Sequence, residues 1–375
     1  MWSAHTNPAG KLGAVISFSL LFLFTSFAGR TELARAQEDA SPIPLLAYYY
    51  IWFDQSSWDR AKTDYPLLGR YTSDDIVVME QHIQWAKDAG IQGFIVSWKG
   101  TDSLNQRLGQ LVELASQENF KLAVIYQGLD FERDPLPIST IASDFEYFEN
   151  LYGDEPVFEL FGKPVVIWSG TWKFSEQEVA EVTSAYRDRL NILASERNLD
   201  GYLRLAQSVD GNAYYWSSVD PDTYPGYQEK LDTLSAAIHA RGGLWFAPAA
   251  PGFDARLIGG TRVVDRKDGD TLLHQLQVAI NSSPDAVGLI SWNEFSENTH
   301  LEPSESYGTR YLEVLAEYSH LTVPIPLQFD SSEIIETPGV ENQEGAAGKP
   351  LAAIGLVLGL LFLSLLMIGF RRNTV

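Results

Sequence analysis

Val287-Gly-Leu-Ile-Ser-Trp292 is an apolar run that ends on Asn293-Glu294, and a second carboxylate, Glu297, follows three residues later. Seven runs of the same kind precede it: Leu45 to Phe53, Gly93 to Trp98, Lys121 to Gln127, Pro164 to Trp168, Tyr202 to Gln207, Ala213 to Trp216 and Leu244 to Pro248. Between them lie longer amphipathic stretches: Asp74 to Ala89, Leu104 to Asn119, Glu176 to Arg197, Tyr227 to Ala240, Asp270 to Asn281 and Tyr307 to Tyr318. Ser73-Asp74 and Ser175-Glu176 are placed to cap two of these as helices, since their side-chain oxygens can accept from free backbone N–H groups. Short apolar runs alternating with amphipathic stretches are the pattern of a parallel sheet with crossover helices. No Gly-x-Gly-x-x-Gly loop follows the first run, and eight strands fit a (β/α)8 TIM barrel better than a doubly wound sheet. The stretch Leu203 to Ser217 is ambiguous, because its two short runs could form a hairpin instead of strands five and six.

In such a barrel, chemistry sits at the C-terminal ends of the strands. Glu294 and Glu297 meet that condition, and one turn of backbone can bring both to the same side. Two carboxylates facing one cleft suit glycosidic cleavage, in which one protonates the leaving oxygen and the other assists attack at the sugar carbon. Their proximity would also raise one pKa and keep an acid protonated near neutral pH. Spacing alone leaves open that the pair are helix-start or loop ion-pair residues. Other strand ends carry Trp98 with Lys99, Gln127 with Asp130 and Glu132, and Trp168, while Phe253 and Asp254 follow Pro248. Sugar sites combine stacking faces with a few polar groups, so their convergence on one rim is expected. His82, His239 and His274 read as surface or packing residues of helices, and His300 is the histidine beside the carboxylates. No metal-ligand spacing, Gly-x-Ser-x-Gly elbow or phosphate loop is present, so neither metal nor cofactor is expected.

Composition narrows the partners. The 375 residues carry a formal net charge of −22, which repels a polyanion and argues against nucleic acid. Ten Trp and seventeen Tyr supply flat faces on which sugar rings can stack, although the same rings also build cores. The absence of cysteine excludes disulfides, thiolate metal sites and a Cys nucleophile.

The ends of the chain suggest an address. Lys11, the apolar run Leu12 to Ala28 and Ala34-Arg35-Ala36 have the layout of a signal peptide over residues 1–36, with an uncleaved signal anchor as the alternative. Residues 41–321 form the expected folded domain. Residues 322–349 are acidic and rich in Pro and Gly, as in a flexible stalk. Leu351 to Phe370 is an uncharged run of twenty residues, enough for a membrane-spanning helix, and Arg371-Arg372 open a cytoplasmic tail over residues 371–375. A single-pass cell-membrane protein with an extracytoplasmic catalytic domain follows.

Three stretches resemble glycoside hydrolase family 99, the endo-α-mannosidases and their bacterial relatives. They are Ala47-Tyr-Tyr-Tyr-Ile-Trp52 with Gly69-Arg-Tyr-Thr-Ser73; Ala250-Pro-Gly-Phe-Asp-Ala-Arg256 with Val264-Asp-Arg-Lys-Asp-Gly-Asp-Thr271; and Ser291-Trp-Asn-Glu-Phe-Ser-Glu-Asn-Thr-His-Leu-Glu-Pro303. The resemblance implies a barrel and a retaining cleavage of α-linked oligosaccharide or polysaccharide. In this mechanism Glu294 deprotonates the sugar 2-hydroxyl to give a 1,2-anhydro sugar, and Glu297 is acid and base at the leaving oxygen. Substrate contacts are then expected from Tyr49, Trp52, Trp98, Gln127, Trp168, Asp254, Trp292, Asn293, His300, Glu302 and Tyr307. Phe295, Ser296 and Asn298 depart from the Trp, His and Gly usual in the family and set this chain's substrate contacts apart. Asn293-Glu294 closes the last strand, so no later strand can supply the nucleophile that retaining β-glycosidases on barrels often place at strand seven. A glycan-binding surface protein that kept the barrel and lost turnover is the alternative, and the retention of both carboxylates speaks against it.

Overall fold

The computed structural model describes residues 43–60 and 62–319. Eight parallel strands form a closed barrel, and a helix follows each strand in the chain order β1 (Leu45–Tyr50), α1 (Ile76–Asp88), β2 (Gly93–Trp98), α2 (Asp102–Gln117), β3 (Lys121–Gln127), α3 (Ile138–Tyr152), β4 (Val165–Ser169), α4 (Glu176–Thr183), β5 (Asn191–Ala194), α5 (Leu199–Leu205), β6 (Gly211–Ala213), α6 (Tyr227–His239), β7 (Leu244–Ala249), α7 (Asp270–Asn281), β8 (Ala286–Leu289) and α8 (Arg310–Tyr318). The ring closes where β8 pairs with β1, Leu45 opposite Val287 and Ala47 opposite Leu289. Between β7 and α7, Phe253–Asp254 and Val263–Val264 make a small antiparallel ribbon. The expected (β/α)8 TIM barrel is therefore the observed architecture.

Side chains alternate across a strand, and that alternation sorts the molecule into two layers. One buried cluster takes residues from every strand, including Leu46, Ile95, Ile125, Ile167, Leu193, Ala213, Phe246 and Ala286, and fills the barrel interior. The intervening residues point outward, under the helices. Trp98, for example, packs on Tyr126 and Phe148, and Trp168 on Phe145 and Phe174.

Two expected elements are corrected. Strand five is Asn191–Ala194, inside the stretch expected to be one long helix, and Tyr202 to Gln207 is mostly helix α5. The strand is four residues long and buried on both faces, and so short an apolar run cannot be told from a buried helix segment by periodicity. Helix α5 buries Tyr202 and Leu205, three apart, and Asn198 caps it by accepting from the Gly201 N–H. The span Leu203 to Ser217 is thus a helix end followed by β6, and not a hairpin. Helix α3 was absent from the expected set. The cap expected at Ser73-Asp74 falls one residue later, on Asp75, while Ser175 forms its capping box with Glu178. The expected signal peptide, stalk, membrane span and tail lie outside the described residues.

Candidate active site

The segment after β8 folds back on itself and carries both carboxylates. Ser291 N–H donates to the Thr299 carbonyl at 2.9 Å, and Leu301 N–H donates to the Ser291 carbonyl at 2.9 Å. Inside this closed loop Glu294 N–H donates to Ser291 Oγ at 2.8 Å, and Thr299 N–H donates to the Glu294 carbonyl at 3.2 Å. Asn298 turns the chain with φ of 51°, a left-handed conformation that Asn tolerates better than most side chains. This accounts for an Asn where the family usually has Gly.

Three neighbours hold the loop. Asp254 N–H, from the ribbon after β7, donates to the Glu297 carbonyl at 2.8 Å. The buried Arg266 donates to the carbonyls of Asn298 and His300 at 3.0 and 2.9 Å, with its guanidinium over Tyr307 and Tyr311. Asn293 ties the loop to the end of β1, accepting from Tyr50 N–H at 2.8 Å and donating to the Tyr50 carbonyl at 3.0 Å. Behind it Tyr71 donates to Glu302 at 2.8 Å, and the other Glu302 oxygen lies 3.0 Å from His82 Nε2.

Glu294 and Glu297 line a cavity of about 570 Å³ at the C-terminal ends of the strands, with Trp52 after β1, Ser97 of β2, Gln127 of β3 and Ser169 of β4. Both carboxylates are buried, and burial pushes both pKa values up. Their surroundings then separate them. For Glu294 the Lys62 charge and the Ser296 N–H, which donates at 2.9 Å, favour the ionised form. Glu297 is held well above the carboxylate range by burial and by the Glu294 charge, with only Arg133 opposing. Burial and the Glu294 charge thus hold Glu297 further above the carboxylate range than Glu294. The Tyr50 and Tyr215 hydroxyls, 2.7 Å apart, lie within electrostatic reach of both acids.

Of the eleven expected sugar contacts, Trp52 and Gln127 line this cavity and the other nine do not. Tyr49, Trp98 and Trp168 stand on strands but on the outward face. Tyr49 meets His82 and Phe94, and Trp98 donates to Asn105. Trp292 packs on Phe94 and His82 outside the barrel. Asp254 pairs with Arg256 at 2.7 Å, and Tyr307 lies under Arg266. Asn293 and Glu302 belong to the clamp behind the loop. His300, stacked on Phe295, bonds Asp64 at 3.0 Å. His82, expected on a surface or in packing, is a fully buried member of the polar clamp. Lys62, Arg133, Tyr50 and Tyr215 were not anticipated. The detectable signal was parity for Tyr50, which shares its face with Trp52, and none for Lys62, whose position depends on the loop after β1.

Comparison with known proteins agrees with the barrel. The chain is 22% identical over 288 residues to mouse glycoprotein endo-alpha-1,2-mannosidase, covering 68% of this chain and 60% of that relative's length. The solved GH99 endo-alpha-mannosidase from Bacteroides thetaiotaomicron superposes with a TM-score of 0.64 at 18% identity, over 75% of this chain and 98% of the other. A glycoside hydrolase-like protein gives 0.58 at 18% identity, over 74% and 96%. At such identities the structural likenesses speak for the barrel alone. The family model for glycosyl hydrolase family 99 matches residues 50–323, which is most of the chain, and the chain belongs to that family.

Proposed function

We propose that this protein is a retaining, endo-acting α-glycosidase of mannosidase-like specificity that works through the neighbouring 2-hydroxyl of its substrate. Glu294 takes the O2 proton as O2 attacks the anomeric carbon, and Glu297 gives its proton to the departing glycosidic oxygen. Glu297 then takes a proton from water, which opens the 1,2-anhydro ring at the anomeric carbon, and O2 recovers its proton from Glu294. The observation that carries this reading is the pairing of two buried carboxylates on one cavity wall, one beside Lys62 and a backbone donor and the other without them. The first environment suits a base and the second an acid.

The amide variants Glu294→Gln and Glu297→Gln test it. Each is expected to retain the fold and lose about 10² to 10⁴ in rate on a natural α-linked glycan. A substrate with a good leaving group needs little protonation, so it should partly rescue Glu297→Gln and not Glu294→Gln. Near-normal activity of both variants removes the pair from the mechanism, and rapid hydrolysis of a 2-deoxy substrate removes the O2 route.

The same proposal includes the address: residues 1–36 direct export, 351–370 anchor the chain, and the barrel faces away from the cytoplasm. A chain ending at Lys349 is expected in the soluble fraction with full activity. Its retention in membranes would instead assign the anchor to the N-terminal segment.

A further inference from the structure

Helix α1 carries a side chain that helix packing alone does not explain. His82 has no exposed surface and lies on the buried side of α1 with Val78, Met79, Ile83, Trp85 and Ala86, where an apolar residue would complete the stripe. Burying an imidazole is costly unless its nitrogens are bonded, and both are. Nε2 lies 3.0 Å from Glu302 Oε1, and Nδ1 lies 3.1 Å from the Tyr49 hydroxyl. With the Nε2 proton given to Glu302, Nδ1 is left to accept from Tyr49. The ring also packs on Trp292 and Tyr71, with centroids 5.4 and 5.3 Å away.

These contacts lead to the loop that carries the acids. Glu302 accepts from the Tyr71 hydroxyl on its other oxygen at 2.8 Å, and its N–H donates to the Trp292 carbonyl at 2.8 Å. The Tyr71 hydroxyl in turn accepts from Asn293 Nδ2 at 3.3 Å, and Asn293 is joined to Glu294 by the next peptide bond. On the other side Tyr49 belongs to β1 and precedes Tyr50, to which Asn293 is tied. Both sides of the seam therefore bear on one imidazole of α1. His82, Tyr49, Tyr71 and Glu302 do not line the cavity, so they reach the chemistry only through the placement of Trp292 and Asn293, and hence of the Glu294 backbone. An apolar side chain of similar volume at position 82 would keep the packing but leave a buried Glu302 oxygen without its donor, and the loop would shift to find another. Displacements well short of a side-chain width are enough to slow a proton transfer between aligned groups.

We propose that His82 is a positioning residue for Glu294, acting through Glu302 and Tyr71, so that helix α1 sets how the base meets the substrate 2-hydroxyl. The proposal rests on the glycosidase reading, and its test has one readout that needs turnover and one that does not. Full-length His82→Leu is expected to lose about 10- to 100-fold in kcat on α-mannotetraose with little change in KM, because the cavity lining is intact. His82→Gln puts an amide N–H near the place of Nε2 and should recover most of that loss. Phe158→Leu, in the core against Phe148 and Tyr152 of α3, serves as a variant destabilised elsewhere and should keep kcat near normal. Amide hydrogen exchange of the free proteins gives the second readout: His82→Leu should speed exchange over residues 291–302 and leave β4 unchanged, with His82→Gln close to the wild type. Near-normal kcat in folded His82→Leu, equal losses in the Leu and Gln variants, a loss confined to KM, or unchanged exchange over residues 291–302 overturns the proposal. A wild-type chain that turns over no glycan counts against the glycosidase reading, and the exchange result then decides the proposal by itself.

Discussion

At the scale of single residues, the site depends on two acids of the same type being held in different environments. Lys62 favours the ionised form of Glu294, so Lys62→Met should raise the Glu294 pKa and move the acid limb of kcat/KM to higher pH. Arg133 favours the ionised form of Glu297, so Arg133→Gln should raise the Glu297 pKa further and move the alkaline limb to higher pH. The first variant narrows the pH profile from below and the second widens it from above. Profiles measured on a neutral aryl glycoside distinguish them, and coincident shifts in the same limb would contradict the division of labour between Glu294 and Glu297.

At the scale of elements, one amide ties the loop that carries Glu294 and Glu297 to β1. Asn293 acts toward Tyr50 as a strand neighbour would, accepting from its N–H and donating to its carbonyl. Asn293→Ala removes both bonds inside a fully buried clamp and is expected to cost about 2–4 kcal/mol in urea unfolding, with a fall in kcat because Glu294 is the next residue. A loss of activity with unchanged stability would argue for a direct substrate contact instead. This clamp also shows what the sequence can and cannot convey. The barrel was legible because most strands are apolar runs bounded by helices, and the acids were legible because Asn293-Glu294 stands at the end of such a run. Trp98 and Trp168 stand at strand ends too, but a strand end has two faces, and only knowledge of which alternate set fills the barrel tells that Ser97 and Ser169 face the cavity. Asn293 and Glu302 stand behind the cavity and bond Tyr50, Tyr71 and His82, and the sequence does not separate the two roles, since a buried amide or acid that positions a neighbour has the same residue type as one that binds. Strand five escaped because Asn191-Ile-Leu-Ala194 follows α4 with no Gly or Pro to mark the change of period.

At the scale of the molecule, acidification should weaken the fold through the loop that carries the acids. Burial and Arg266 push the His300 pKa down from 6.5 to about 4. Between these values the unfolded chain takes up a proton that the native chain refuses, so stability is complete above pH 6.5 and declines as pH falls toward 4. Although burial opposes it, hydrogen bonds from His300 and Ser304 hold Asp64 below its ordinary value, and that contribution is lost further down, as pH falls below 3.8. Glu294 and Glu297 have raised values and act in the opposite direction, costing stability as pH rises through their titration. The expected result is a Tm that drops between pH 6.5 and 4, with a shallower slope in His300→Gln. The His300 contribution over that interval is on the order of 3 kcal/mol. An unchanged slope would show that His300 is not the group being titrated.

The seam between β8 and β1 also sets a timetable. A chain emerging from the ribosome makes β1 first and the Glu294 loop almost last, and Asn293 can grip Tyr50 only after the strands between them have closed into a ring. Every shorter intermediate has the aromatic rings and the basic residues but no assembled pair of acids. The cavity wall that carries both acids therefore arises in one step, at ring closure, late in synthesis.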